Sequence, residues 1–143
     1  MARRVLDSNI CASLVLPLPY SNQALRYINT WKTAKDELIV PMLWEYEVVS
    51  ILRKAVFGKV LRPDQARDSL QRIFALNPTR IAPTAELHQQ TMEWAARLNQ
   101  ASAYDAHYLA VAEAMNAEFW TADGRLCSRA QQLGLDWVHV VEA

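Results

Sequence analysis

The sequence predicts a three-layer α/β domain: a parallel sheet with helices on both faces. Three observations carry this. Short apolar, strand-like segments alternate with helix-patterned segments along the chain, as a parallel sheet with helical crossovers requires. With 143 residues, 52% hydrophobic and only three glycines, the chain can bury a proper core and is not expected to be disordered. No linker, repeat or low-complexity stretch divides it, so residues 1–143 are expected to form one domain.

Each element has a local cause. Arg3–Asp7 reads as a short strand ending in a turn at Asp7-Ser8-Asn9. Ile10–Leu16 reads as a short helix, stopped by Pro17 and Pro19. Ser21 or Asn22 caps a helix through about Ala34, with Ala24, Leu25, Ile28 and Trp31 at helical spacing. Leu38–Pro41 is a buried strand. Met42–Phe57 is a strong helix closed by Gly58. Pro63, at a first-turn position, starts the next helix through about Leu76. Thr79–Ala82 is a weak strand between two prolines. Thr84 caps a helix to about Gln100, and Ser102 starts another through about Met115. Ala117–Thr121 is a strand, Gly124–Leu133 a helix ended by Gly134, and Trp137–Val141 the last strand.

Four carboxylates sit in apolar surroundings: Asp7, Glu47, Asp105 and Asp123. In a parallel α/β sheet, ligands bind beyond the carboxyl ends of the strands, near the point where strand order reverses. Asp7 ends the first strand and Asp123 follows the fourth, which puts both on one edge. Glu47, in the helix after the second strand, shares a face with Leu43, Trp44 and Ile51, where an unpaired carboxylate is costly. Its rival role is a buried ion pair with an arginine. Glu45 points to a more polar face and reads as a surface residue. Asp105, in the first turn of its helix, competes with a capping-box role from Ser102. Asp123 precedes Gly124 and, taken alone, reads as a turn acid or helix N-cap. Gathered together, the four acids form a pocket suited to a divalent cation.

The remaining residues narrow the chemistry. Cys11 and Cys127 lack metal-ligand spacing and read as small buried hydrophobes, and the three histidines form no zinc motif. A metal here is therefore held by oxygen, which suits Mg²⁺ or Mn²⁺. The formal net charge is zero, which argues against gripping nucleic acid by bulk electrostatics but not against a local basic rim. All four lysines lie within the first 59 residues, and Arg53, Lys54, Lys59 and Arg62 form a basic stretch able to meet phosphates. The five tryptophans read as core or interface, and His107 faces away from Asp105. No membrane-length apolar run or signal-peptide core occurs, which favours a cytoplasmic protein.

These residues resemble the PIN-domain family of metal-dependent ribonucleases, particularly its small VapC-type toxins. The likeness covers nearly the whole chain. It rests on Val5-Leu6-Asp7-Ser8-Asn9, on Val40–Lys54 with Glu47 in the acidic position, on Tyr104–Ala112, and on Phe119-Trp120-Thr121-Ala122-Asp123. The resemblance implies strand order 3-2-1-4-5 and the four acids clustered around Mg²⁺ or Mn²⁺. It also implies hydrogen-bonding support from Ser8, Asn9 and Thr121, RNA as substrate, a homodimer, and a small DNA-binding antitoxin as partner. Trp120 is bulkier than the aliphatic residue often found there, and an additional acid found in some members is missing. The expected chemistry is hydrolysis of an RNA phosphodiester bond, with water attacking phosphorus in line and the sugar 3′ oxygen leaving.

Three rivals fare worse on the residues. A phosphoacceptor of receiver type needs a lysine late in the chain, and none follows Lys59. A haloacid-dehalogenase phosphatase needs a second Asp where Asn9 stands. A PIN-like domain serving only as a protein-interaction module is disfavoured by Glu47 on the core side of its helix.

Overall fold

The computed structural model describes residues 1–143. Its elements are β1 (Arg3–Leu6), α1 (Ser8–Ala12), α2 (Ser21–Thr33), β2 (Glu37–Pro41), α3 (Leu43–Phe57), α4 (Pro63–Phe74), β3 (Thr79–Ile81), α5 (Ala85–Arg97), α6 (Tyr104–Ala114), β4 (Glu118–Thr121), α7 (Gly124–Gln132) and β5 (Val138–Val140). The five strands are all parallel, in the order β3-β2-β1-β4-β5, as the resemblance implied. The chain steps outward from β1 through β2 to β3, then crosses back to β4 and β5. Strand order therefore reverses between β1 and β4. There Leu6 pairs with Trp120, so Asp7 and Thr121 come side by side at the carboxyl edge.

Right-handed crossovers place α1–α4 on one face and α5–α7 on the other. On the first face α3 packs against α1 and α4; on the second α5 packs against α6. Arg129 of α7 donates to the carbonyls of Leu98 and Asn99 beyond the end of α5. The core fills both layers, with Val5, Leu6, Ile39, Val40 and Phe119 of the strands all buried. α6 crosses β2, β1 and β4 and is buried at every position from Ala106 to Ala112. That placement explains its apolar residues nearly all round, where a surface helix would show one stripe. At the amino edge, Arg4 joins three elements: it pairs with Asp36 at 3.0 Å, pairs with Glu118, and lies over Trp31. Trp31, Trp44 and Trp94 are buried, as are both free cysteines. No helix is long and apolar enough to cross a membrane.

Two local expectations are corrected. The first helix begins at Ser8, not Ile10, because Asp7 leaves the strand with extended backbone and directly takes the N-cap position. It ends early at Ala12, and the Ser13 hydroxyl binds the Ile10 carbonyl. Gly58 is the C-cap of α3, but it does not take the left-handed angle expected of a closing glycine: Gly58 has φ −80°, whereas the following Lys59 has φ 61°. The same device ends every helix from α2 to α7. The left-handed residues are Lys35, Lys59, Asn77, Asn99, Asn116 and Gly134. In five of them the following amide reaches back five residues along the chain, as in Asp36 N–H to Trp31 O at 2.9 Å and Val60 N–H to Ala55 O at 2.8 Å.

Left-handed backbone is costly for a residue with a Cβ. Lys35, at φ 60° and exposed, carries that cost without a compensating contact. The substitution Lys35→Gly should therefore stabilise the fold by roughly 1 kcal/mol. An unchanged or lower urea midpoint would show that the lysine side chain contributes more than its backbone strain.

Candidate active site

The site is assembled from four element ends at the carboxyl edge of the sheet. β1 delivers Asp7, the start of α3 delivers Glu47, the first turn of α6 delivers Asp105, and the end of β4 delivers Asp123. α3 and α6 both begin at this edge because helices in parallel units run back against their strands.

Asp7 is the most constrained of the four. It is 7% exposed, and no lysine, arginine or histidine pairs with it among the ion pairs of the fold. Thr121 Oγ1 donates to its Oδ2 at 2.8 Å, and Ser8 Oγ donates to its Oδ1 at 3.3 Å. Burial pushes its pKa up to about 6; the Thr121 hydrogen bond works against that rise, and the charges of Asp105 and Glu47 add to it. Although Asp7 holds the N-cap position of α1, its side chain makes no capping bond. Capping therefore does not account for it.

Glu47 is half-buried, and its pKa is raised chiefly by burial and further by the charge of Asp105. It lies on the flank of the buried stripe Trp44–Val48–Leu52, not within it as expected. Its partner is not an arginine but Tyr108 of α6, whose hydroxyl donates to Oε1 at 2.7 Å. The arginine pair belongs to Glu45 instead: Arg80 Nε lies 2.8 Å from it, with the guanidinium over Trp44 and Phe74. Glu45 is thus a half-buried link to the edge strand β3, not a plain surface residue.

Asp105 is half-buried, and its pKa is raised by burial and then by the charge of Asp123. Its Oδ2 accepts from Gln100 Nε2 at 3.4 Å. The capping-box rival is not realised, since the N-cap residue is Ala103 and makes no side-chain bond. For Asp123, the N-cap role is realised. Its Oδ1 accepts from the amides of Arg125 and Leu126 at 3.0 and 3.2 Å, while its own amide donates to Thr121 Oγ1 at 3.0 Å.

The four acids therefore share one neighbourhood, with their charges acting on one another in sequence. As placed, however, no three of them converge closely enough to grip an ion. Each carboxylate is drawn to a different donor, and like charges keep them apart. The donor chemistry nonetheless fits a hard cation. All the donors are carboxylate oxygens, and Asp105 Oδ1 and Asp123 Oδ2 have no hydrogen-bonded partner in the fold.

The supporting residues divide. Ser8 and Thr121 hold Asp7. Asn9 is exposed and hydrogen-bonds to none of the acids. Arg53 and Lys54 are exposed near the far end of α3, about 9 to 11 Å along the helix from Glu47 at 1.5 Å per residue, and Lys59 and Arg62 are exposed beyond that end. Arg62 is also paired with Asp64. The sequence reading missed Tyr108 and Gln100. Tyr108 carried a signal, lying three residues after Asp105 and hence on a neighbouring helix face; Gln100 lies in a loop and carried none.

Comparisons with known proteins identify the family and the fold. The PIN domain family model matches residues 4–131. A VapC ribonuclease of Mycobacterium bovis is 39% identical over 98 residues, covering 68% of this chain and 74% of the relative. Among solved structures, VapBC2 from Rickettsia felis, bound to a DNA fragment from its promoter, superposes with a TM-score of 0.72 at 13% identity. That match covers 96% of this chain and 98% of the other. VapC20 of Mycobacterium tuberculosis, a sarcin-ricin loop cleaving toxin, superposes with a TM-score of 0.64 at 18% identity, covering 87% and 93%. At such identities the structural likeness establishes the fold; the family model and the 39% identical relative establish kinship. The chain belongs to the PIN-domain family, in its VapC group.

Proposed function

We propose that this protein is a metal-dependent endoribonuclease that hydrolyses RNA phosphodiester bonds, the toxin of a VapBC-type toxin–antitoxin pair. The observation that carries the reading is the buried Asp7 carboxylate at the strand-order reversal, unpaired by any cation and electrostatically joined to Glu47 and Asp105. A module built only for protein contact has no use for that arrangement, which costs stability.

Asp7, Glu47, Asp105 and Asp123 would hold Mg²⁺ or Mn²⁺ through oxygen. A bound divalent cation supplies Lewis acidity, lowering the pKa of water and offsetting charge that develops on the phosphoryl group. The protein's own residues set the geometry. Thr121 and Ser8 fix the two oxygens of Asp7, Tyr108 fixes Glu47, and Gln100 fixes Asp105. Thr121 also receives the Asp123 amide, so one hydroxyl aligns two of the acids. Asn9, exposed two residues after Asp7, would be free to contact a substrate phosphate or water. The basic stretch Arg53, Lys54, Lys59 and Arg62 would attract the RNA backbone at a distance from the cut. The partners are RNA, an antitoxin and a second copy of the chain, and the compartment is the cytoplasm. Support for the antitoxin comes from the kinship with VapC proteins and the fold shared with VapBC2.

The direct test is cleavage of single-stranded RNA in Mn²⁺, Mg²⁺ and chelator. Wild type should cut with either ion and not in chelator, and Asp7→Asn should fall to background. Equal cleavage by both proteins would sink the site. Thr121→Val keeps the shape of a buried residue while removing the shared hydroxyl, and should lower kcat/KM by roughly 10- to 100-fold. A loss below twofold would mean that Asp7 is aligned by something else.

A second measurement reads the buried charge. Asp7 has a folded pKa of about 6 in the metal-free protein, against an ordinary value near 4. A raised carboxyl pKa stabilises the fold below the unfolded value, and that stability is lost as pH rises through the folded one. The loss for Asp7 is about 3 kcal/mol across pH 4 to 7. In chelator, Asp7→Asn should therefore melt above wild type at pH 7.5, and the gap should close near pH 4. Added Mn²⁺ should raise the wild-type melting temperature more than that of Asp7→Asn. Parallel melts at every pH would contradict the burial of an unpaired charge.

A further inference from the structure

Beside the acids lies a second feature with its own chemistry. A cavity of about 270 Å³ opens between the start of α3, α5 and the start of α6. Its rim carries Tyr46 and Tyr104, which are 73% and 62% exposed. Each tyrosine immediately precedes a site acid, Glu47 and Asp105, on the same helix. The cavity therefore lies beside the candidate active site on the same two helices, although none of the four acids lines it. One wall is the exposed ring of His88, stacked on the buried ring of His107 with centroids 5.7 Å apart and planes 28° apart. The His107 ring is held by Thr91: the Thr91 hydroxyl donates to the Leu87 carbonyl at 2.7 Å and so accepts from His107 Nδ1 at 3.0 Å. Nε2, the other polar atom of that ring, hydrogen-bonds to nothing in the fold, and His107 lines the cavity.

We propose that this cavity receives one unpaired nucleobase of the RNA strand, next to the bond that is cut, stacked against the His88 and tyrosine rings with the His107 edge facing it. This rests on the ribonuclease reading above. The physical match is threefold. Flat aromatic faces beside a phosphoryl-handling site suit a splayed base, the form in which single-stranded RNA is read. The volume lies just below that of pockets for drug-sized ligands, the scale of a single ring system. The His107 Nε2, without a partner in the fold, supplies a polar atom that a base edge can meet. His107, which faces away from Asp105, thus gains a role at a neighbouring subsite.

The experiment uses the full chain, Mn²⁺ and a pool of randomised single-stranded RNA, with cleavage sites mapped by sequencing. Wild type should show a base preference at one position flanking the cut. Tyr46→Ala and His88→Ala alter exposed side chains and should leave the melting temperature unchanged. Each should flatten that preference and lower kcat/KM by about 5- to 150-fold, the range of one lost base–aromatic stack. An oligonucleotide made abasic at that position should be cut equally by wild type and by Tyr46→Ala/His88→Ala. If wild type cuts with the same preference as the variants, the cavity proposal fails while the nuclease stands. If the variants keep the preference but lose a dimer seen by sedimentation, the face joins two copies of the chain and the proposal is overturned. If wild type cuts no RNA at all, the ribonuclease reading itself falls, and this inference with it.

Discussion

A carboxylate buried without a counter-charge is the constraint around which the carboxyl edge is organised. Asp7 lies where the strand order reverses, the one place in such a sheet where two neighbouring strands send their connections in opposite directions. The gap this leaves admits a polar side chain to the core layer. Burial raises the cost of its charge, and the surroundings offset only part of that cost with two hydroxyl donors. The sheet could have filled the position with an aliphatic residue, as it does at Val5 and Leu6. What remains is an acid that binds a proton more readily than an ordinary carboxylate.

The helices complete this edge in pairs. α3 and α6 lie on opposite faces of the sheet yet meet at its rim through the Tyr108–Glu47 bond. The environment of Glu47 also pushes the Tyr108 pKa upward, chiefly by burial and then by the charges of Asp7 and Glu47, so the phenol stays a donor. A rigid, buried α6 therefore sets the position of a carboxylate on the more exposed α3. The opposite edge uses full charges instead, with Arg4 between Asp36 and Glu118. The two ends of one sheet thus handle polarity differently: ion pairs lock the amino edge, and neutral hydroxyls leave the carboxyl edge with net negative charge.

Much of this was legible in the residues. The strand and helix segments were set by proline, glycine and apolar spacing, and the acids at Asp7 and Asp123 followed from their place after strands. Other features depended on where side chains turn. Glu47 was assigned to the core stripe, but α3 presents Trp44, Val48 and Leu52 inward and leaves Glu47 on the flank. Glu45 seemed ordinary because its partner Arg80 lies 35 residues away on a strand only three residues long. Gly58 looked like a helix stop because glycine is the usual one, yet Lys59 takes the strained angle. Asp123 took the N-cap role that its place before Gly124 suggested, capping α7 with one oxygen and leaving the other without a partner.

The pairing of β1 with β4 has a consequence in time. Thr121 stands 114 residues after Asp7, and such distant contacts close last, because loop-closure entropy must be met before they contribute. A chain emerging from the ribosome can pair β1 with β2 early, but the second neighbour of its central strand does not exist until about residue 118 is made. The hydroxyl that holds Asp7 and the acid that caps α7 arrive together in the last stretch of synthesis. A chain truncated before that point has its first acid and lacks its fourth, so whatever chemistry the edge performs is withheld until translation is nearly complete.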